Sequence, residues 1–196
     1  MTNEIAVAAK KNPKRLQIIL AAFKLFTENG FYATGVDLII SQANVSRRTM
    51  YVYFPTKNDL IVAVLGYYRD NYEQGLNALL SRGDLNSREK IIAIFVDSTS
   101  WFENKQFYGC LAVNAMGEFS GKDPQIEKAC SVFKTWELDV FRELVQELAV
   151  KNPDELAFKL LVLIEGIGAI AHVMKQPCPI DITQMVNNLL DVHCVA

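Results

Sequence analysis

The stretch "ANVSRRTMYVYFPTKNDL", Ala43 to Leu60, sets two arginines, three aromatics and a lysine into a short amphipathic run. Ser46 is a strong N-cap for a helix opening at Arg47, and Pro55 closes that helix. Val45 before the cap and Met50 five positions later fit a hydrophobic staple, which fixes the entry angle. Asn44 stands where a preceding helix must turn, and asparagine tolerates the left-handed backbone that such turns need. Just upstream, "GVDLIISQAN" reads as a short helix with Val36, Ile39, Ile40 and Ala43 inward. Two helices across so tight a turn form a helix-turn-helix, whose second member enters a DNA major groove with its N-terminal residues leading.

Arg47, Arg48 and Thr49 hold those leading positions, and Tyr51 lies one turn on, on the side expected to meet a DNA backbone. Lys57 opens the next helix, so its charge and the helix amides are expected to converge on a phosphate. The competing reading is an exposed basic helix with solvated arginines. The coincidence of cap, staple and turn favours DNA.

Charge distribution agrees. Residues 1–57 carry eight basic side chains (Lys10, Lys11, Lys14, Arg15, Lys24, Arg47, Arg48, Lys57) against three acidic ones (Glu4, Glu28, Asp37), a net +5. The remainder carries twelve basic against nineteen acidic, a net −7. A basic head on an acidic body calls for a polyanionic partner at the head alone.

Helical periodicity continues in both directions. "RLQIILAAFKLFTENG" places Leu16, Ile19, Leu20, Phe23 and Phe26 at three- and four-residue steps and stops at Asn29-Gly30. Lys57 to about Leu80 reads as a longer helix, ended by Ser81-Arg82-Gly83-Asp84. Further helices are predicted over about Ser87 to Glu103, Phe107 to Phe119, Pro124 to Val150, Pro153 to Met174 and Ile182 to Val192. No fixed-period repeat and no run of strands is found. The fold class is all-α: a small basic N-terminal head of three helices, the candidate DNA-binding domain with its helix-turn-helix at about 35–54, joined by one long helix to a larger acidic helical body. The expected boundary separates residues 1–57 from 58–196.

At this point the sequence resembles a known family. "ILAAFKLFTENGFYATGVDLIISQANVSRRTMYVYFPTKNDL" is similar to the DNA-binding head of the TetR/AcrR regulators, in register over about 45 residues. The shared features include Asn29-Gly30-Phe31, Thr34, Val36, Ile39, Ala43, Val45-Ser46, Thr49, Tyr51, Tyr53-Phe54, Lys57 and Leu60. Asn44 replaces the usual turn glycine, Ile40 stands at a usual alanine, and Arg48 replaces a common glycine. The resemblance implies a homodimeric regulator, usually a repressor, released from double-stranded operator DNA by a small effector. It makes Thr34, Ser46, Arg47, Arg48, Thr49, Tyr51, Tyr53 and Lys57 the DNA-facing positions, and Phe23, Phe26, Val36, Ile39, Ala43 and Phe54 core.

In the body, aromatics at helical spacing are mostly ordinary core, yet such a lining with a few polar groups is how ligand pockets are built. Trp101, Cys110, Asn114, Glu118, Trp136 and Glu165 are the candidate effector contacts. Within "FYGCLAVNAMGEF", Gly109-Cys110 with Asn114-Ala115 and Glu118 resembles a branch of the family that senses electrophiles and oxidants through a cysteine. A helix opening near Phe107 would put Cys110 in its first turn, where unpaired amides favour a thiolate. Against this, free cysteine is commonly a small buried hydrophobe, and no basic residue sits one helical turn away. Gly166, Gly168, Ala169 and Ala171, together with "ITQMVNNLLDV", suit a pair of dimerising helices.

Several classes are disfavoured. The four cysteines, Cys110, Cys130, Cys178 and Cys194, form no C-x-x-C pair, so free thiols in a reducing cytoplasm are expected. His172 and His193 have no partner spaced for a metal site or a nucleophile–base pair, and neither a P-loop nor a dinucleotide fingerprint is present. No catalytic residue, cofactor or metal is therefore expected. No secretory leader is recognised, and Leu160 to Met174, interrupted by Glu165, reads as too short for a membrane span. The competing class is a helical ligand-binding or interaction protein without specific DNA binding.

Overall fold

Caps and breakers in the sequence account for the observed helix ends. The computed structural model describes residues 12–176 and 178–193; Lys10, Lys11 and Cys194 lie outside the described residues. Among these there are nine helices: α1 Pro13–Asn29, α2 Val36–Gln42, α3 Arg47–Tyr53, α4 Lys57–Leu80, α5 Ser87–Phe102, α6 Leu111–Phe119, α7 Pro124–Gln146, α8 Pro153–Met174 and α9 Ile182–His193. α1 and α8 each open on proline after an asparagine, where the missing N–H is harmless. α5 opens on a reciprocal capping box between Asn86 and Glu89. Phe54 leaves the helical region at φ −137° because Pro55 follows it. Two expected boundaries move. α6 starts at Leu111 rather than near Phe107, because Gly109 sits at φ +85°, which no helix accommodates. α7 ends at Gln146 rather than Val150.

The chain forms two compact units. Of the described residues, unit 1 holds those up to Gln74 together with Leu111–Ser131, and unit 2 holds Gly75–Cys110 and those from Val132 onward. Leu60, Ile61, Val64 and Leu65 on α4 are buried, and α6 buries Leu111, Ala112, Ala115 and Phe119. Unit 1 thus needs more apolar surface than α1–α3 supply.

In unit 1, α1, α2 and α3 pack on one another. Ile18, Ala22, Phe26, Ile39, Ala43, Met50 and Phe54 are buried there, while Phe23 and Val36 are only half-buried. Phe23 instead meets Tyr67 edge-on and stacks on Tyr68. In unit 2, α5 packs against both α8 and α9 around Phe95, Phe141, Leu156, Leu160, Val186 and Leu190. α8 has 22 residues and is long and apolar enough to cross a membrane by length and composition, which corrects the shorter estimate above. Its inner face belongs to the unit 2 core through Leu156, Ala157, Leu160 and Ile164, as in a core helix.

Candidate functional site

The α2–α3 pair is built as a helix-turn-helix from its turn outward. Asn44 carries the left-handed conformation at φ +47°, which allows the chain to reverse within Ala43–Ser46. The Val45 amide donates back to the Ile40 carbonyl at 3.3 Å, and the Ala43 amide to that of Ile39 at 2.8 Å. The Ser46 hydroxyl then caps α3 by accepting from the Thr49 amide at 3.0 Å, and it meets the Thr49 hydroxyl at 2.8 Å. Gln17 on α1 donates to the Ala43 carbonyl at 2.7 Å, tying the turn to the first helix. Met50 and Phe54 face inward, so the opposite face of α3 points to solvent.

That outer face carries Ser46, Arg47, Arg48 and Tyr51, all exposed, with Thr49 and Tyr53 half-buried beside them. These six share the α3 segment. Val52, 69% exposed, joins them; a lone valine among polar residues gave no signal in the sequence. Asp37 was also missed. It opens α2, and its carboxylate accepts from the Arg47 guanidinium at 2.5 Å. The available signal was that Asp37 is the only acidic residue between Gly30 and Lys57.

Two expected DNA contacts make hydrogen bonds within the head. Thr34 is fully buried, and its hydroxyl donates to the carbonyls of Gly30 at 2.7 Å and Leu25 at 3.2 Å. Its side chain shapes the α1–α2 turn. Lys57, half-exposed, donates to the Phe31 carbonyl at 2.6 Å. Burial pushes its ammonium below the ordinary lysine value, against the opposing pull of Glu118. The start of α4, the expected phosphate site, is instead capped from within: the Asp59 carboxylate accepts from the Thr56 amide and hydroxyl at 2.9 and 2.7 Å.

Glu118, expected among effector contacts, belongs to this same turn. Its two carboxylate oxygens accept from the amides of Phe31 at 2.9 Å and Tyr32 at 2.7 Å. Gly30 sits at φ +84°, a conformation that favours glycine, and a Cβ there would press on Glu118 Oε1 at 3.2 Å. Tyr32 stacks on Phe119, and the Lys122 ammonium lies over the Tyr32 ring. The end of α6 is therefore part of the unit that carries the helix-turn-helix. Asn114, also on α6, lies in unit 1 and is half-buried.

Trp101, Cys110, Trp136 and Glu165 lie in unit 2. Trp101 is exposed, while Trp136 is half-buried and stacks with Phe133. The Lys134 ammonium bridges Glu137 at 2.6 Å and Glu165 at 2.7 Å. Burial alone would lower the Lys134 pKa, but the negative charges of Cys110, Glu137 and Glu165 together raise it. The basic group absent from the Cys110 segment is thus supplied by α7. Cys110 itself is half-buried and stands just ahead of α6. Cys110, Cys130 and Cys178 are not in disulfides, and among the described residues no three His, Cys, Asp or Glu side chains group as a metal site would require.

The α8 glycines separate on close inspection. A Cβ at Gly168 would lie 3.2 Å from Phe102 Cζ of the same chain. Gly166 has nothing within 4 Å and is exposed.

Comparisons with known proteins agree with this geometry. The family model described as "Bacterial regulatory proteins, tetR family" matches residues 18–64. The chain is 24% identical over 159 residues to the uncharacterized HTH-type transcriptional regulator YuxN of Bacillus subtilis, covering 80% of this chain and 53% of that protein. It is 29% identical over 105 residues to the HTH-type transcriptional repressor NemR of Escherichia coli, covering 53% of each. The matches thus span about half the length of these two relatives. A crystal structure of a TetR-type transcriptional regulator from Streptomyces avermitilis superposes with a TM-score of 0.81 at 24% identity, over 92% of this chain and 97% of that one, which shows a shared fold. With its capped second helix and its asparagine turn, the segment 18–64 is a helix-turn-helix head of the kind described for the tetR family of bacterial regulatory proteins.

Proposed function

We propose that this chain is a homodimeric repressor that holds a palindromic DNA operator and is released from it by a small effector. The observation that carries the DNA reading is the capped α3, which presents Arg47, Arg48 and Tyr51 to solvent from a head of net charge +5. Double-stranded DNA is the polyanion such a helix fits, and half-site centres should lie about 34–36 Å apart. Repression is supported by likeness to NemR, whose name is that of a repressor. DNA contact is assigned to residues 1–57 and dimerisation with effector binding to residues 58–196. As a DNA regulator it works in the cytoplasm.

Dimerisation is supported by the outer face of α8. Phe158, Val162, Gly166, Ala169 and Val173 recur at three- and four-residue steps, and all are exposed. Val173 is 77% exposed, too much apolar surface to leave in water along with Phe158 and Val162 at 57% each. Gly166 and Ala169 allow a second helix to approach closely. Placing an arginine at Gly166 should yield a monomer by sedimentation and weaken operator binding, whereas an unchanged dimer would remove α8 from the interface. For the effector, Trp101, Cys110, Asn114, Trp136 and Glu165 remain candidate contacts, with Lys134 bridging to Glu165. A hydrophobic or cationic compound that quenches tryptophan fluorescence should also weaken DNA binding; an effector acts only through its preference for the released state. The decisive experiment is selection of duplexes from a random-sequence pool. Enrichment of a palindrome is expected, and failure to enrich any duplex overturns the DNA reading.

A further inference from the structure

Within the face proposed to meet DNA, one carboxylate stands against the arginines. Asp37, in the first turn of α2, accepts from Arg47, the first residue of α3, at 2.5 Å, and the two side chains remain 75% and 63% exposed. An ion pair so exposed adds little to stability, because solvent screens it. The fold therefore does not depend on it. Its position matters more than its strength: Asp37 is the only acidic residue between Gly30 and Lys57. It contacts one terminal nitrogen of Arg47, which leaves the other N–H groups of the guanidinium to donate.

Two physical effects follow. A guanidinium held at one nitrogen is ordered before it meets a base, so less side-chain freedom is lost on binding. A carboxylate beside that guanidinium also repels phosphate oxygens, which weakens attraction to DNA of any sequence. Both effects favour the correct site over the bulk of DNA. We propose that Asp37 is a specificity-determining positioning residue: through Arg47 it lowers affinity for arbitrary duplex and sharpens reading of one base pair. This rests on the DNA-binding reading above.

The test uses the full-length protein with a duplex enriched from a random pool by the wild type, and a scrambled duplex of the same composition. Dissociation constants are measured for wild type, D37N, R47A and the double variant at two salt concentrations. Asp37→Asn should tighten the scrambled duplex by about two- to fivefold while leaving the enriched one unchanged or weaker, so the ratio falls. Reselection with D37N should lose preference at one base pair. In the R47A background the ratio should no longer respond to D37N. Four outcomes are informative. A ratio that falls only when Arg47 is present supports the proposal. An unchanged ratio overturns it and leaves DNA binding intact. An equal fall with and without Arg47 also overturns it, because Asp37 then acts as bare charge. A wild-type protein that enriches no duplex overturns the DNA reading and this proposal with it.

Discussion

Two ion-pair sites in this molecule have the same chemistry and opposite consequences. Arg47–Asp37 in unit 1 is open to water on both sides, whereas Lys134 in unit 2 is 24% exposed and bridges Glu137 at 8% and Glu165 at 33%. In water the separated charges are nearly as well solvated as the pair, so the first site exchanges partners readily. In the second, a lost lysine would leave carboxylates in a poorly hydrated place. Accessible pairs suit recognition, and enclosed ones hold helices together. Here α7 is held to α8.

The largest effect is expected where the enclosure is deepest. Lys134→Met keeps the length of the side chain and removes the charge that joins α7 to α8. The loss should be about 2–4 kcal/mol, below the full cost of breaking a buried pair because Glu165 reaches solvent. Urea unfolding measures it directly. Replacing Glu137 and Glu165 by glutamine in the same chain should recover much of the loss, since no carboxylate then lacks its cation. The folded-state pKa of Lys134 lies above the ordinary 10.5. Its contribution is therefore full at every pH below 10.5 and is lost only as pH rises past that value. An unchanged urea midpoint for Lys134→Met would mean that solvent already screens the cluster.

The next effect belongs to Glu118, intermediate between the two extremes. Glu118→Ala removes the acceptor from the buried Phe31 and from Tyr32, whose exposed amide can turn to water. A destabilisation of about 1–3 kcal/mol is expected, with faster amide exchange at both residues. Operator and scrambled DNA should weaken by the same factor, because Glu118 touches neither. A change in the operator-to-scrambled ratio would instead place Glu118 in sequence reading.

What could be read from the sequence follows the range of each interaction. Helix ends set by neighbours in the chain were legible: Ser46 as cap, Asn44 as turn, Pro153 and Pro55 as start and stop. Arg47, Arg48 and Tyr51 were legible as an outward face because Met50 and Phe54 define the inward one at helical spacing. Interactions across long stretches were not. Glu118 meets a turn 86 and 87 residues earlier, and nothing local distinguishes it from an effector contact. Lys134 reaches Glu165 across 31 residues and stands near Cys110 from another helix. Thr34 and Lys57 matched the family pattern, yet a pattern does not say which way a side chain turns. Gly166 and Gly168 differ only in what lies over each Cα.

The smallest effect on stability, and the most telling for function, is expected at Arg47. Removing a side chain that is 63% exposed and paired only with an exposed aspartate should change unfolding by no more than about 0.5 kcal/mol. Operator affinity should nevertheless fall by about 1–3 kcal/mol at fixed salt, with specificity relaxed at one position, as for a base-reading arginine. Arg48→Ala provides the internal contrast. If Arg48 serves a phosphate, its loss should weaken all duplexes alike and reduce the salt slope by about one unit. Equal operator affinity for wild type and both variants would show that α3 does not meet DNA through its N-terminal turn. A large drop in stability for Arg47→Ala would show that the Asp37 pair holds α2 to α3, and the distinction between accessible and enclosed pairs would then fail at its exposed end.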